Sequence, residues 1–182
     1  MSATKQHGQS PHLSSHYDEC PQTLERFKQT VGEGGIRVPL IVSGPGIAAG
    51  VKTDAFAYVW DILPPLLAAA DAEYPATFGG KEVEQPRGRS MLPALSGEVE
   101  IIYSEDETVS GEMAGGKWVR KGSYKAVSVP APYGVGQWRL FDLAIDPGES
   151  IDLGEEKPNQ LNEMIAVWET YAEEVGIVPA EL

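Results

Sequence analysis

The stretch Gly34-Gly35-Ile36-Arg37-Val38-Pro39-Leu40-Ile41-Val42-Ser43, closed by Gly44-Pro45-Gly46, decides how the rest of the chain is read. Val38, Leu40, Ile41 and Val42 make a short, nearly continuous apolar run between turn-forming residues, the pattern of a strand covered on both faces. Pro39 argues for an edge or a strand start, because it has no N–H to give to a ladder. A strand over 36–43 would need parallel neighbours and covering helices. No second run of the same kind occurs in the sequence. The front of the chain therefore reads as part of a larger α/β layer rather than a domain closed on itself.

Downstream, Phe56, Val59, Trp60, Leu63, Leu66 and Leu67 recur at helical spacing and predict a helix over 54–70. Pro64-Pro65 should kink it or begin a new turn. Residues 74–97 are rich in Pro and Gly, carry Arg87-Gly88-Arg89-Ser90, and read as a loop ending in a short helical turn. The pattern then changes to short strands at 101–103, 117–120, 124–129 and 138–143. Lys121-Gly122-Ser123 is a hairpin turn between the second and third, and Asp146-Pro147-Gly148-Glu149 ends the last. Leu161, Met164, Ile165, Trp168, Tyr171, Ala172 and Val175 form the clearest helical stripe, with Pro158 in the first turn and Gly176 at the end.

The predicted fold class is α/β to α+β: a partial α/β segment over 25–97, then a small antiparallel sheet packed on a C-terminal helix over 98–182. Residues 1–24, polar and without an apolar period, read as a flexible leader. Trp118, Trp138 and Trp168 are expected to share a core. Asp142, Asp146, Glu149 and Asp152 lack the spacing of an EF-hand calcium loop and are assigned turn and cap duties. Glu98, Glu100, Glu105, Asp106 and Glu107 read as a solvated acidic rim.

Composition narrows the function. The chain has 182 residues, 42% of them hydrophobic and 23% charged, with a net charge of −13. That surface repels phosphate backbones and anionic lipid heads, so no nucleic-acid and no membrane partner is expected. No apolar run approaches the ~20 residues that span a bilayer. The N-terminal stretch has no apolar core of a secretory signal. Cys20 is the single cysteine, which excludes an internal disulfide and fits a reducing, cytoplasmic setting. All three histidines precede residue 17, so a zinc site in the body of the chain is not expected.

Four blocks, in order, resemble the arylsulfatases, the formylglycine-dependent sulfatases of the alkaline-phosphatase superfamily. Gly34-Gly35-Ile36-Arg37-Val38-Pro39 looks like that family's Gly-Gly-x-Arg-Val-Pro strand. Val59-Trp60-Asp61-Ile62-Leu63-Pro64-Pro65-Leu66-Leu67 is similar to its Val-x-Asp-(Leu/Ile)-x-Pro-Thr-Leu-Leu helix. Arg87-Gly88-Arg89-Ser90-Met91-Leu92, with Leu95-Ser96-Gly97, resembles the loop that follows. Leu140-Phe141-Asp142-Leu143, with Asp146-Pro147-Gly148-Glu149, resembles Leu-(Tyr/Phe)-Asp-Leu-x-x-Asp-Pro-x-Glu. Together they cover residues 25–176, the C-terminal part of such an enzyme.

The resemblance implies hydrolysis of sulfate esters by a formylglycine nucleophile, with a calcium ion steadying the sulfate and lysines and histidines neutralising its charge. Lys28, seven positions before Gly35, matches the family lysine that contacts a sulfate oxygen; by its own sequence context alone it reads instead as a solvated helix or loop lysine, and the matched spacing turns the balance toward a ligand. It is the one sulfate-binding candidate, and no catalytic residue and no metal ligand is assigned. Cys20 stands in Cys20-Pro21-Gln22-Thr23, which departs from the Cys/Ser-x-Pro/Ala-x-Arg motif. No Asp-Asn-Gly and no paired N-terminal aspartates occur. The expectation is a C-terminal sulfatase portion, inactive alone and needing no cofactor itself, with calcium and formylglycine belonging to the complete parent. Its partner would be a missing N-terminal part, or a second copy by self-association, and a sulfate ester would bind only in the complete enzyme. Two other readings stay open: an accessory module completing a site in trans, and an unrelated acidic α+β binding protein.

Overall fold

The computed structural model describes residues 28–178; the leader expected over 1–24, with Cys20, lies outside the described residues. Along the chain come α1 (Glu33–Ile36), a 3-10 turn (Val59–Ile62), α2 (Leu63–Ala69), the short strands β1 (Thr77–Phe78) and β2 (Lys81–Glu82), and α3 (Leu92–Leu95). Strands β3 (Thr108–Met113), β4 (Gly116–Lys121), β5 (Tyr124–Ser128) and β6 (Trp138–Asp142) follow, then α4 (Pro158–Val175).

The last four strands form an antiparallel meander in the order β3-β4-β5-β6. Two-residue loops fix the register of its first two hairpins. Ala114 and Gly115 both take positive φ between the paired Met113 and Gly116, the backbone twist that favours a tight hairpin. Lys121 faces Tyr124 across Gly122-Ser123, with Gly122 at φ +56°. The period of two then sorts side chains by face: Val119, Ala126 and Leu140 to one side, Trp118, Val127 and Phe141 to the other.

Helix α4 closes the first face. Pro158 stands in its first turn and Gly176 ends it in the left-handed region, as the sequence predicts. Met164 and Trp168 are buried against Val119, Ala126 and Leu140, each such side chain contributing about 1.5–3 kcal/mol of apolar burial. The Trp168 indole N–H donates to the Gly111 carbonyl at 3.1 Å, so the ring is also satisfied as a donor. The β6 edge is covered by the chain after the Asp146 turn: Leu153 N–H donates to Leu140 O at 2.8 Å, and Asp152 Oδ1 accepts from Leu140 N–H at 3.0 Å. The second face is covered by the front of the chain, through Val31, Ile36, Phe56, Tyr58, Trp60 and Tyr103.

Several expectations need correction. Residues 37–43 form no strand; they run without ladder partners, and Ile41 is 93% exposed. An extended segment becomes a strand only when neighbours accept its hydrogen bonds, and among the described residues none lies beside it. The helix expected over 54–70 starts at Val59, as a 3-10 turn that gives way to α2 with Pro64 in its first turn. Residues 54–58 are irregular, and Phe56 and Tyr58 lie on the sheet. Residues 101–103 form no strand. Strand β3 was not anticipated because its sequence, Thr108-Val109-Ser110-Gly111-Glu112-Met113, lacks a clear apolar alternation. Gly111 is required there: a Cβ would lie 2.5 Å from Trp118 Nε1. The three tryptophans do not share one core. Trp138 and Trp168 pack with ring centroids 5.8 Å apart on the α4 face, whereas Trp118 lies on the opposite face, 5.5 Å from the Tyr58 ring.

Candidate functional site

Lys28, the one sequence-predicted sulfate contact, stands exposed in a turn at the head of the segment that leads into α1. Gln29 follows at φ +77°, a left-handed turn that a non-glycine residue adopts only when its neighbours are held. Those neighbours are held. Thr30 and Val31 are buried, and Val31 fits against Gly116, where a Cβ would come within 3.1 Å of its methyl group.

Two residues on, Glu33 enters a charged cluster at the heart of the second face. Lys125 is only 1% exposed and occupies an inward position of β5, in the row of Phe141 and one step from Val127. Its ammonium lies 2.7 Å from Glu33 Oε1 and 2.9 Å from Glu149 Oε1. Glu149 Oε2 accepts the backbone N–H of Glu33 at 2.7 Å. Burial pushes the Glu149 carboxyl up, against the opposing pull of Lys125 and the Glu33 N–H. Arg120 borders the cluster with its guanidinium 4.2 Å from the Phe56 ring centroid, and burial pushes its pKa down while Glu33 pulls it up. Arg37, half exposed, reaches to 3.9 Å from Glu33. Two buried carboxylates thus share one buried ammonium, with two guanidinium groups at the margin.

A second polar hub joins two of the recognised motifs. Asp61 is fully buried at the start of the α2 region and accepts from Tyr58 N–H at 2.6 Å, Arg89 N–H at 2.8 Å and the Tyr103 hydroxyl at 2.7 Å. Gly88 is needed for that approach, since a Cβ would lie 1.9 Å from the Trp60 carbonyl oxygen. Burial and the bond to Asp61 push the Tyr103 hydroxyl up to about 12. The Arg89 guanidinium lies 4.7 Å from the Tyr103 ring centroid and pairs with Glu107. That pair, with the Ser104 N–H, holds the Glu107 carboxyl down at about 2.

The acids near the last turn do turn work. Asp146 accepts from Ser150 N–H and Ile151 N–H, each at 2.8 Å, and Asp152 caps Gly154 N–H at 2.9 Å. Glu149 is the exception, drawn inward to Lys125. Of the expected rim, Glu98, Glu100, Glu105 and Asp106 are exposed, while Glu107 serves Arg89 and Ser104. Among the described residues no three His, Cys, Asp or Glu side chains converge as a metal site. Among the described residues, one open cleft of about 420 Å³ is lined by Lys121, Tyr124 and Glu163 among others, and another of about 390 Å³ by Trp60, Arg87 and Tyr171. Lys28 lines neither.

The Glu33–Lys125–Glu149 cluster escaped the reading of the sequence. Its one legible signal was a lysine at a core-facing register of an otherwise apolar strand, since Lys125 shares a face with Val127.

No protein-family model matches the chain. The chain is 36% identical over 155 residues to an uncharacterised sulfatase of Schizosaccharomyces pombe, a match over 84% of this chain and 28% of that protein. It is 29% identical over 151 residues to the choline-sulfatase of Rhizobium meliloti, covering 78% of this chain and 26% of the relative. To mouse arylsulfatase K it is 26% identical over 157 residues, 81% of this chain and 27% of the relative. It therefore spans about a quarter of the length of these curated relatives. The crystal structure of Ps i-CgsB shares its fold, with a TM-score of 0.64 over 82% of this chain and 32% of that one at 24% identity. A small antiparallel sheet with a C-terminal helix, consistent with a partial sulfatase domain, is the architecture observed, and the chain belongs to the sulfatase family.

Proposed function

We propose that this chain is the C-terminal portion of an arylsulfatase-type sulfate-ester hydrolase and contributes Lys28 as a sulfate contact to a site completed by other residues. The observation that carries this reading is the setting of Lys28. It is an exposed ammonium two residues before the buried Thr30 and Val31, at the family spacing from Gly34-Gly35. A strongly hydrated point charge on a long side chain suits a tetrahedral anion. A held stem limits the entropy lost when that charge meets its ligand.

One ammonium does not make a catalyst. Hydrolysis needs a nucleophile, charge stabilisation specific to the transition state, and a proton donor for the leaving group in one pocket. Cys20 lies in a sequence unlike the formylglycine site, and no Cys/Ser-x-Pro/Ala-x-Arg motif occurs elsewhere in the sequence. Calcium and formylglycine would be held by residues of the complete enzyme, and a sulfate ester would bind there rather than to this chain alone. The acidic surface disfavours nucleic acid and anionic membranes, and the lone cysteine suits the cytoplasm.

The purified chain is expected to show no turnover of 4-nitrophenyl sulfate, with or without calcium, and to retain no metal after dialysis. Hydrolysis that disappears in Lys28→Ala and survives in Cys20→Ser would overturn this. The exposed run Val38, Leu40 and Ile41 also favours a second reading, completion of the site in trans by a separate chain. An upstream reading frame encoding Cys/Ser-x-Pro-x-Arg, continuous with this one, would favour a single parent enzyme; a separate intact partner gene would favour the second reading.

A further inference from the structure

We propose that Lys125 and Glu149 are positioning residues for Lys28, acting through Glu33, so that the C-terminal sheet sets where the sulfate contact stands. The proposal rests on the reading of Lys28 as that contact and extends it to residues of a different part of the fold.

The first ground is the geometry of closure. Lys125 Nζ lies 2.7 Å from Glu33 Oε1 and 2.9 Å from Glu149 Oε1, and Glu149 Oε2 takes the Glu33 N–H at 2.7 Å. Glu33 is therefore gripped by its main chain and its side chain at once. The charge-assisted bond from Lys125 to Glu33 and the bond from Glu33 N–H to Glu149 Oε2 fix direction as well as depth, which an apolar contact such as that of Val31 does not; Lys125 and Glu149 Oε1 meet as an ion pair without a hydrogen bond. The second ground is the choice of residues. A lysine in the row of Phe141 must be desolvated, and apolar residues of similar volume would commonly serve stability as well or better. A buried ion cluster at this register is better explained by the specific orientation it imposes on the segment it grips.

The third ground is reach. Lys28 is five residues from Glu33, a span of at most about 18 Å when extended. Burial of Thr30 and Val31 shortens the free length to the two residues before Thr30, at most about 7 Å. Among the described residues, Lys28 and Gln29 are the exposed ones at the head of this stem, and the positive φ of Gln29 sets the direction in which Lys28 leaves it.

The test uses the whole chain, backbone relaxation by NMR and titration with inorganic sulfate. In the native chain the amides of 28–33 should be as ordered as the sheet, with order parameters near about 0.85, and the Lys28 resonances should shift with sulfate. Glu33→Gln keeps the shape and removes the charge. It should drop order at 28–31 below about 0.6 and abolish the Lys28 response at sulfate concentrations that shift it in the native chain, while β4, β5 and α4 keep native order at temperatures below the variant's own melting transition. Lys125→Met should do the same; if it fails to fold, Glu33→Gln decides. Native order at 28–31 in Glu33→Gln would overturn the proposal, as would lost order with an unchanged sulfate response. A sulfate response that survives Lys28→Ala would defeat the reading of Lys28 itself, and the proposal with it, through a different variant.

Discussion

The two halves of this chain use the same apolar alphabet and reach opposite ends. In residues 108–176 each strand has its ladder partner, each face its cover and the long helix its stripe, and Val119, Ala126, Leu140 and Met164 are sealed. In residues 37–70, Val38, Leu40, Ile41, Val59 and Leu66 are exposed although their sequence is no less apolar. Hydrophobic residues create a demand for burial; neighbouring elements meet it or leave it open. The front half meets the sheet through a few aromatic rings, the Asp61 hub and the Glu33 cluster, and leaves its strand-like run free.

The largest difference between the halves should appear on truncating a core aromatic. Trp168→Ala removes the ring that joins α4 to the sheet and should cost about 3–5 kcal/mol in denaturant unfolding. Unfolding equal to that of the native chain would break the comparison at its firmer side. A smaller effect is expected at the seam. Tyr103→Phe deletes the hydroxyl donated to buried Asp61 and should cost about 1.5 kcal/mol, while leaving the β3–β6 ladder intact. The Tyr103 hydroxyl is raised to about 12, above its ordinary value near 10. The sign follows: its contribution is fully present below about pH 10 and is lost as pH rises through about 12. Tyrosine absorbance titration of the native chain against Tyr103→Phe measures this, and a native Tyr103 ionising at its ordinary value would contradict it. The smallest effect belongs to the open strip. Ile41→Asn should change stability by less than about 0.5 kcal/mol, because the native side chain touches almost nothing.

What the sequence made legible follows the same division. The 158–176 helix, the hairpin around Gly122 and the turn at Asp146 were readable because each rests on local chemistry: a 3.6-residue stripe, a positive-φ glycine, an aspartate accepting nearby N–H groups. The strand expected over 36–43 was not formed, because strand formation depends on partners and not on the segment alone. Strand β3 was hidden for the converse reason. Gly111 and Glu112 weaken its strand signal, and pairing with β4 imposes the conformation, with Gly111 making room for Trp118. Motif spacing marked Lys28 as a candidate, but the buried Glu33, Lys125 and Glu149 that hold its stem lie up to 116 residues apart in sequence, and only folding brings them together.

The central claim proposed here is that the exposed apolar run of the front half is covered by protein beyond the described residues. Light scattering with a hydrophobic-dye titration tests it most directly, comparing the native chain with the double variant Val38→Lys and Ile41→Lys. The expected result is dye binding and concentration-dependent association in the native chain, both reduced in the double variant while the unfolding midpoint stays the same. A native chain that remains monomeric and binds no dye would contradict it.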